Sequence, residues 1–210
     1  MKIGIDIMGG DFAPSKTIEG AVLALEHFHN EEKLFFFGKE EIITSELNKY
    51  NFNKNLIEIV NCSEVIEMGE HPTKAFKQKL DSSIYKGFEY LAKNKIDTFA
   101  SAGNTGAMFI GGYYTVKPIR GVIRPSIATV IPKLNGKVAV LLDVGANADC
   151  KPDVLYQFGV LGSLFAQNVY EIKDPKVSLL NLGEEKTKGN MLTQTAYGLM
   201  HGSKDYNFIG

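Results

Sequence analysis

Three turns in this chain each follow an apolar run directly and consist almost wholly of small residues with amide or carboxylate side chains. They are MGGDFAP (Met8 to Pro14), SAGNTGA (Ser101 to Ala107) and DVGANADCKP (Asp143 to Pro152). A helical pattern follows each, so each turn carries the chain from the carboxyl end of a strand into a helix. Strands alternating with helices in this way restrict the chain to a mainly parallel sheet covered on both faces. In such sheets ligands sit in the crevice beyond the carboxyl ends of the strands. Helix starts offer unpaired N–H groups, and glycine permits close backbone approach, so the turns predict a site for an anion, phosphate foremost. The competing reading is that glycine only eases tight strand–helix corners.

The remaining elements follow from periodicity and punctuation. Strands are expected at Lys2–Ile7, Leu34–Phe37, Leu56–Val60, Ile96–Ala100 and Val177–Leu182. Helices are expected over Ser15–Phe28, Glu40–Tyr50, Pro72–Asn94 (as one or two), Pro152–Val169 and Asn190–His201. Ser126–Pro132 and Lys137–Val144 break the alternation. Both are β-rich and Asn135-Gly136 lies between them, a strong hairpin signal that predicts a local antiparallel pair. The final residues, Asn207 to Gly210, read as a strand beginning. No linker or repeat separates the parts, and residues 1–210 are read as one α/β domain.

Composition narrows the class. A chain of 210 residues, 44% hydrophobic, can bury a substantial core, while a net charge of −1 argues against a nucleic-acid binder. Cys62 and Cys150 have no metal-ligand or CxxC spacing, which fits a reducing cytoplasm. The apolar runs are too short for a membrane span and the N-terminus does not read as a signal peptide. Between Asp97 and Asp143 there is no acidic residue, yet Lys117, Arg120, Arg124, Lys133 and Lys137 lie there. That segment reads either as a docking surface for an anionic partner, through Arg120 and Arg124, or as an ordinary solvated face. His27, His29, His71 and His201 have no ligand spacing, and no metal site or cofactor is expected.

Four motifs in order, MGGDFAP, SAGNTGA, LLDVGANADCKP and LNLGEEKTKGN, resemble the acyl-carrier-protein:phosphate acyltransferases of bacterial phospholipid synthesis. The resemblance runs from Met1 to Gly210. It implies a three-layer α/β/α fold related to isopropylmalate dehydrogenases and phosphotransacetylases. It also implies conversion of long-chain acyl-carrier protein and inorganic phosphate to acyl phosphate, the first step towards phosphatidic acid. A homodimer in the cytoplasm, peripheral membrane association and a downstream glycerol-phosphate acyltransferase as partner are further implications. Two departures stand out. Phe12 occupies a position where the family commonly has His or Asn, and the family continues for roughly a further third of its length, which this chain is expected to lack.

The proposed chemistry asks for phosphate to be held and for charge on the carbonyl oxygen and leaving thiolate to be stabilised. Gly9, Gly10, Gly103, Asn104, Thr105 and Gly106, with Gly145, Ala146, Gly189 and Asn190, are the candidate phosphate and substrate contacts. Asn104 and Asn147 are candidate side-chain donors. Lys188, at the opening of a helix, is the candidate for neutralising the oxyanion or thiolate, and the resemblance strengthens that choice. Among the carboxylates, Asp6 and Asp143 read as caps and Asp11, inside the glycine turn, as the functional one. Two other classes remain open. Ile3-Gly4-Ile5-Asp6 superficially resembles the first phosphate loop of actin-like sugar or acetate kinases, and the basic segment suits a non-catalytic module that binds acyl-carrier protein. No GxxxxGK[ST], GxGxxG or GxSxG motif occurs.

Overall fold

A computed structural model describes residues 1–28, 31–183, 185 and 188–210. The chain divides into two compact units, Met1–Lys117 and Pro118–Gly210. His29, and Glu184, Lys186 and Thr187 of the last motif, lie outside the described residues.

The first unit is an all-parallel sheet of four strands: β1 (Lys2–Asp6), β2 (Lys33–Gly38), β3 (Ile57–Asn61) and β4 (Thr98–Ala100), in the order β3-β2-β1-β4. Helices α1 (Ser15–Ala24), α2 (Glu40–Leu47), α3 (Pro72–Gln78), α4 (Ser83–Ala92) and α5 (Thr105–Gly111) connect and follow the strands. The run Leu34-Phe35-Phe36-Phe37 is buried throughout, which marks β2 as an inner strand with both faces covered. Leu34 and Phe36 face a cluster containing Ile18 of α1 and Ile43 of α2. Phe35 and Phe37 turn the other way, where Phe37 meets Tyr90 of α4 edge-on at 5.2 Å and Phe99 of β4 at 5.6 Å. This is the layered arrangement expected from sequence.

Pro72–Asn94 resolves into two helices because the Ser82 side chain accepts from the Tyr85 N–H and starts α4 afresh. A π-helical segment, Gly112–Val116, extends α5 and had no counterpart in the sequence reading.

In the second unit, β5 (Ala128–Pro132) and β6 (Val138–Leu142) form the expected antiparallel hairpin, with Gly136 in the left-handed region at φ 76°. Helices α6 (Pro152–Tyr170) and α7 (Met191–Met200) match their expected spans closely. The strand expected at Val177–Leu182 does not form at that length. β7 is Lys176–Val177, paired in parallel with β8 (Asn207–Phe208). The partner covers only two residues, and Leu180 and Leu182 remain 80% and 92% exposed.

Candidate phosphate site

In the first unit the chain moves outward from β1 to β2 and β3, then returns to the opposite side of β1 as β4. The order reverses between β1 and β4, and an open parallel sheet presents its ligand crevice beyond the carboxyl ends at such a reversal. MGGDFAP leaves β1 and SAGNTGA leaves β4. Two of the three turns singled out in the sequence therefore meet at the switch point.

Their meeting is close. A methyl group on Gly9 would overlap the Asp6 carboxylate and stand 2.7 Å from the Gly103 nitrogen, and one on Gly103 would stand 3.1 Å from the Gly9 Cα. Gly106 is equally confined, since a methyl group there would overlap Pro72 at the start of α3. These three glycines let backbone meet backbone or proline. Glycine is required at these three positions by packing. Gly10 differs: it is half-buried, holds φ 110°, and leads into exposed Asp11 and Phe12, the latter 75% exposed. Thr105 is exposed at the first position of α5.

Asn104 is buried, and both ends of its side chain are engaged. Its Oδ1 accepts from the Ala107 N–H at 2.9 Å and caps α5. Its Nδ2 donates to the carbonyls of Glu67, Met68 and Glu70 at 3.1–3.2 Å. The amide ties α5 to the segment between β3 and α3, since a buried donor must find partners. Sequence reasoning placed neither Asp6 nor Ser101 among the site residues, yet they join the two turns: Ser101 Oγ donates to Asp6 Oδ2 at 2.6 Å. A carboxylate closing a buried apolar strand was the available signal. The nearby Cys62 thiol is pushed up to about 12, mainly by burial.

The second unit presents two further candidate groups. Asp143, at φ 48°, accepts from the N–H groups of Ala146 (3.1 Å) and Asn147 (3.0 Å), folding Gly145-Ala146-Asn147 around its own carboxylate. Those two donors face Asp143. Asn147 Nδ2 donates to the Pro125 carbonyl at 3.0 Å. Arg120 and Arg124 are both exposed, and Arg124 Nη1 donates to the Asp149 carbonyl at 2.9 Å, bracing this turn.

Around the last motif a cavity of about 320 Å³ is lined by Leu180, Asn181, Leu182, Gly189, Asn190 and Thr193. Asn190 caps α7 by accepting from the Thr193 N–H at 2.9 Å. Gly189 holds φ 90° and is pressed against Asn181 and Thr193. The exposed Lys188 is fixed through its backbone, donating to the Glu185 carbonyl and accepting from Asn181 Nδ2.

Residues 1–210 match the family described as "Fatty acid synthesis protein". A phosphate acyltransferase from Dictyoglomus turgidum is 45% identical over 210 residues, 100% of this chain and 62% of the relative. One from Staphylococcus aureus strain Newman is 44% identical with the same coverage. The chain spans 62% of the length of these curated relatives. A phosphotransacetylase from Streptococcus pyogenes superposes with a TM-score of 0.69 at 18% identity, over 100% of this chain and 67% of that one. At that identity the likeness bears on fold alone.

Proposed function

We propose that this chain, which belongs to the fatty acid synthesis protein family, serves an acyltransferase that makes acyl phosphate from long-chain acyl-carrier protein and inorganic phosphate. The observation that carries the reading is the meeting of MGGDFAP and SAGNTGA at the reversal point of a parallel sheet. Phosphate rests against the outer side of these turns, near Gly10, Asp11 and Thr105. One of its oxygens attacks the thioester carbonyl; the new C–O bond forms, the C–S bond breaks, and the carrier leaves as a thiolate that takes up a proton. In the second unit Lys188, as a source of positive charge, and Asn147, as an amide donor with one hydrogen committed to Pro125, are the proposed catalytic residues. Asp11 positions a donor, since its own charge repels phosphate.

Within the same proposal, residues 1–210 form one α/β domain, the protein works as a cytoplasmic homodimer at the membrane periphery, and Arg120 with Arg124 meets the acidic carrier. A downstream glycerol-phosphate acyltransferase consumes the product. No described helix is long and apolar enough to cross a membrane. The test is thioester loss from acyl-carrier protein with phosphate, without it, and with ATP replacing it. Loss that requires phosphate alone supports the transferase. Loss that requires ATP points to a kinase, and binding without turnover points to a carrier-docking module. In the active protein Lys188→Ala lowers kcat by at least tenfold with little change in melting temperature; equal losses of both make Lys188 structural.

A further inference from the structure

A partly buried hydrogen-bond chain crosses from one turn to the other at the reversal point. The Gly103 N–H donates to Ser101 Oγ at 2.9 Å, and Ser101 Oγ donates to Asp6 Oδ2 at 2.6 Å. The other Asp6 oxygen accepts from the Met8 N–H at 3.0 Å. Asp6 is 1% exposed and forms no ion pair among the described residues. A buried carboxylate compensated only by dipoles is expensive, and an apolar residue of similar size would fill the space at less cost. The chain also has a direction: Ser101 Oγ donates to Asp6 and accepts from the Gly103 N–H.

From this geometry we infer that Asp6 is a positioning residue for phosphate, acting through Met8 and Ser101 to hold the two glycine turns in one register. The inference rests on the phosphate reading above. Met8 immediately precedes Gly9-Gly10, and Gly103 precedes Asn104-Thr105, so each locked N–H sits one or two residues from a proposed contact. With both turns tied to one carboxylate, the donors facing phosphate keep a single spacing, and little ordering is left for the ligand to induce. Gly9 and Gly103, in contact beneath them, leave no room for the turns to shift independently.

The sign of the effect separates positioning from simple charge. Removing a carboxylate close to an anion site relieves repulsion and should tighten phosphate binding. Removing a positioning group should weaken it. In Asp6→Asn the new NH2 group must face either the Met8 N–H or Ser101 Oγ. The first placement sets donor against donor, and the second leaves the Ser101 hydroxyl hydrogen without its acceptor. Ser101→Ala keeps the charge but cuts the link to Gly103.

The test is phosphate titration against chloride at matched ionic strength, by calorimetry and by melting temperature, on the unmodified chain, Asp6→Asn and Ser101→Ala. Both variants are expected to bind phosphate about tenfold more weakly or worse, the scale seen when an outer partner of a ligating group is removed. Ser101→Thr, which restores a hydroxyl, recovers part of the affinity. If Asp6→Asn binds phosphate as well as or better than the unmodified chain, the positioning role is overturned. If both variants merely melt earlier in chloride with an unchanged dissociation constant, the chain of bonds is structural and the proposal fails. If the unmodified chain itself shows no phosphate-specific binding, the phosphate reading falls, and this proposal falls with it.

Discussion

The turns at the ends of β1 and β4 and the turn after β6 use nearly the same residues, yet they are held by different means. In the first unit a fully buried carboxylate, Asp6, joins two turns far apart in sequence, and Gly9 and Gly103 touch beneath them. In the second unit the half-buried Asp143 folds a single turn onto itself, and space around Gly145 is open. Glycine is thus demanded by contact in one region and by backbone conformation in the other. Small residues and carboxylates build both a long-range clasp and a local turn, and only the clasp brings two strand ends to one place.

The sharpest break between the regions should come from adding side-chain bulk. Gly9→Val is expected to destabilise the chain by about 3 kcal/mol or more, because neither Asp6 nor the Gly103 backbone can move aside. Gly145→Ala meets no neighbouring atom and loses only its φ of 114°, at roughly 1–2 kcal/mol. Urea unfolding followed by circular dichroism measures both. Equal losses would erase the distinction between contact and conformation.

A smaller contrast lies between the two asparagines. Asn104→Ala removes a helix cap and the anchor for the carbonyls of Glu67, Met68 and Glu70, and should cost about 2–3 kcal/mol. Asn147→Ala removes one bond from its side chain to Pro125 and should cost about 1 kcal/mol. Reversal of that order would mean that the segment after β3 is not held by Asn104.

The two thiols give the mildest test. Cys62, raised to about 12 by burial, should label with iodoacetamide only on unfolding. The Cys150 thiol is raised by burial first and then by Asp143, while Arg124 opposes the shift. Taking away the Arg124 charge raises it further and reduces the thiolate present at pH 8. Arg124→Ala should therefore slow Cys150 labelling by a few-fold. Faster labelling in that variant would show that the exposure of Cys150, and not the Arg124 charge, governs its reactivity.

Much of this fold was legible because its signals are local. The apolar run of β2, Asn135-Gly136 of the hairpin and the glycine turns that end strands are each read within a few residues. What could not be read depends on distant partners. Nothing beside Gly9 announces that Gly103 lies against it, and nothing beside Asn104 announces carbonyls 34–37 residues earlier. For the same reason the carbonyls that Asn104 holds and the reach of Asp6 to Ser101 do not show in the sequence. Leu180 and Leu182 suggested a strand, but a strand extends only as far as its partner.

The central claim is that phosphate binds at the reversal point of the first unit. Proton–nitrogen correlation spectra of the chain, titrated with phosphate and then with chloride at matched ionic strength, test it most directly. Saturable shifts are expected at the amides of Gly10, Asp11, Phe12, Ala102 and Thr105 with phosphate, and not with chloride. Shifts that fail to saturate, that chloride reproduces, or that fall only outside these two turns would contradict the account.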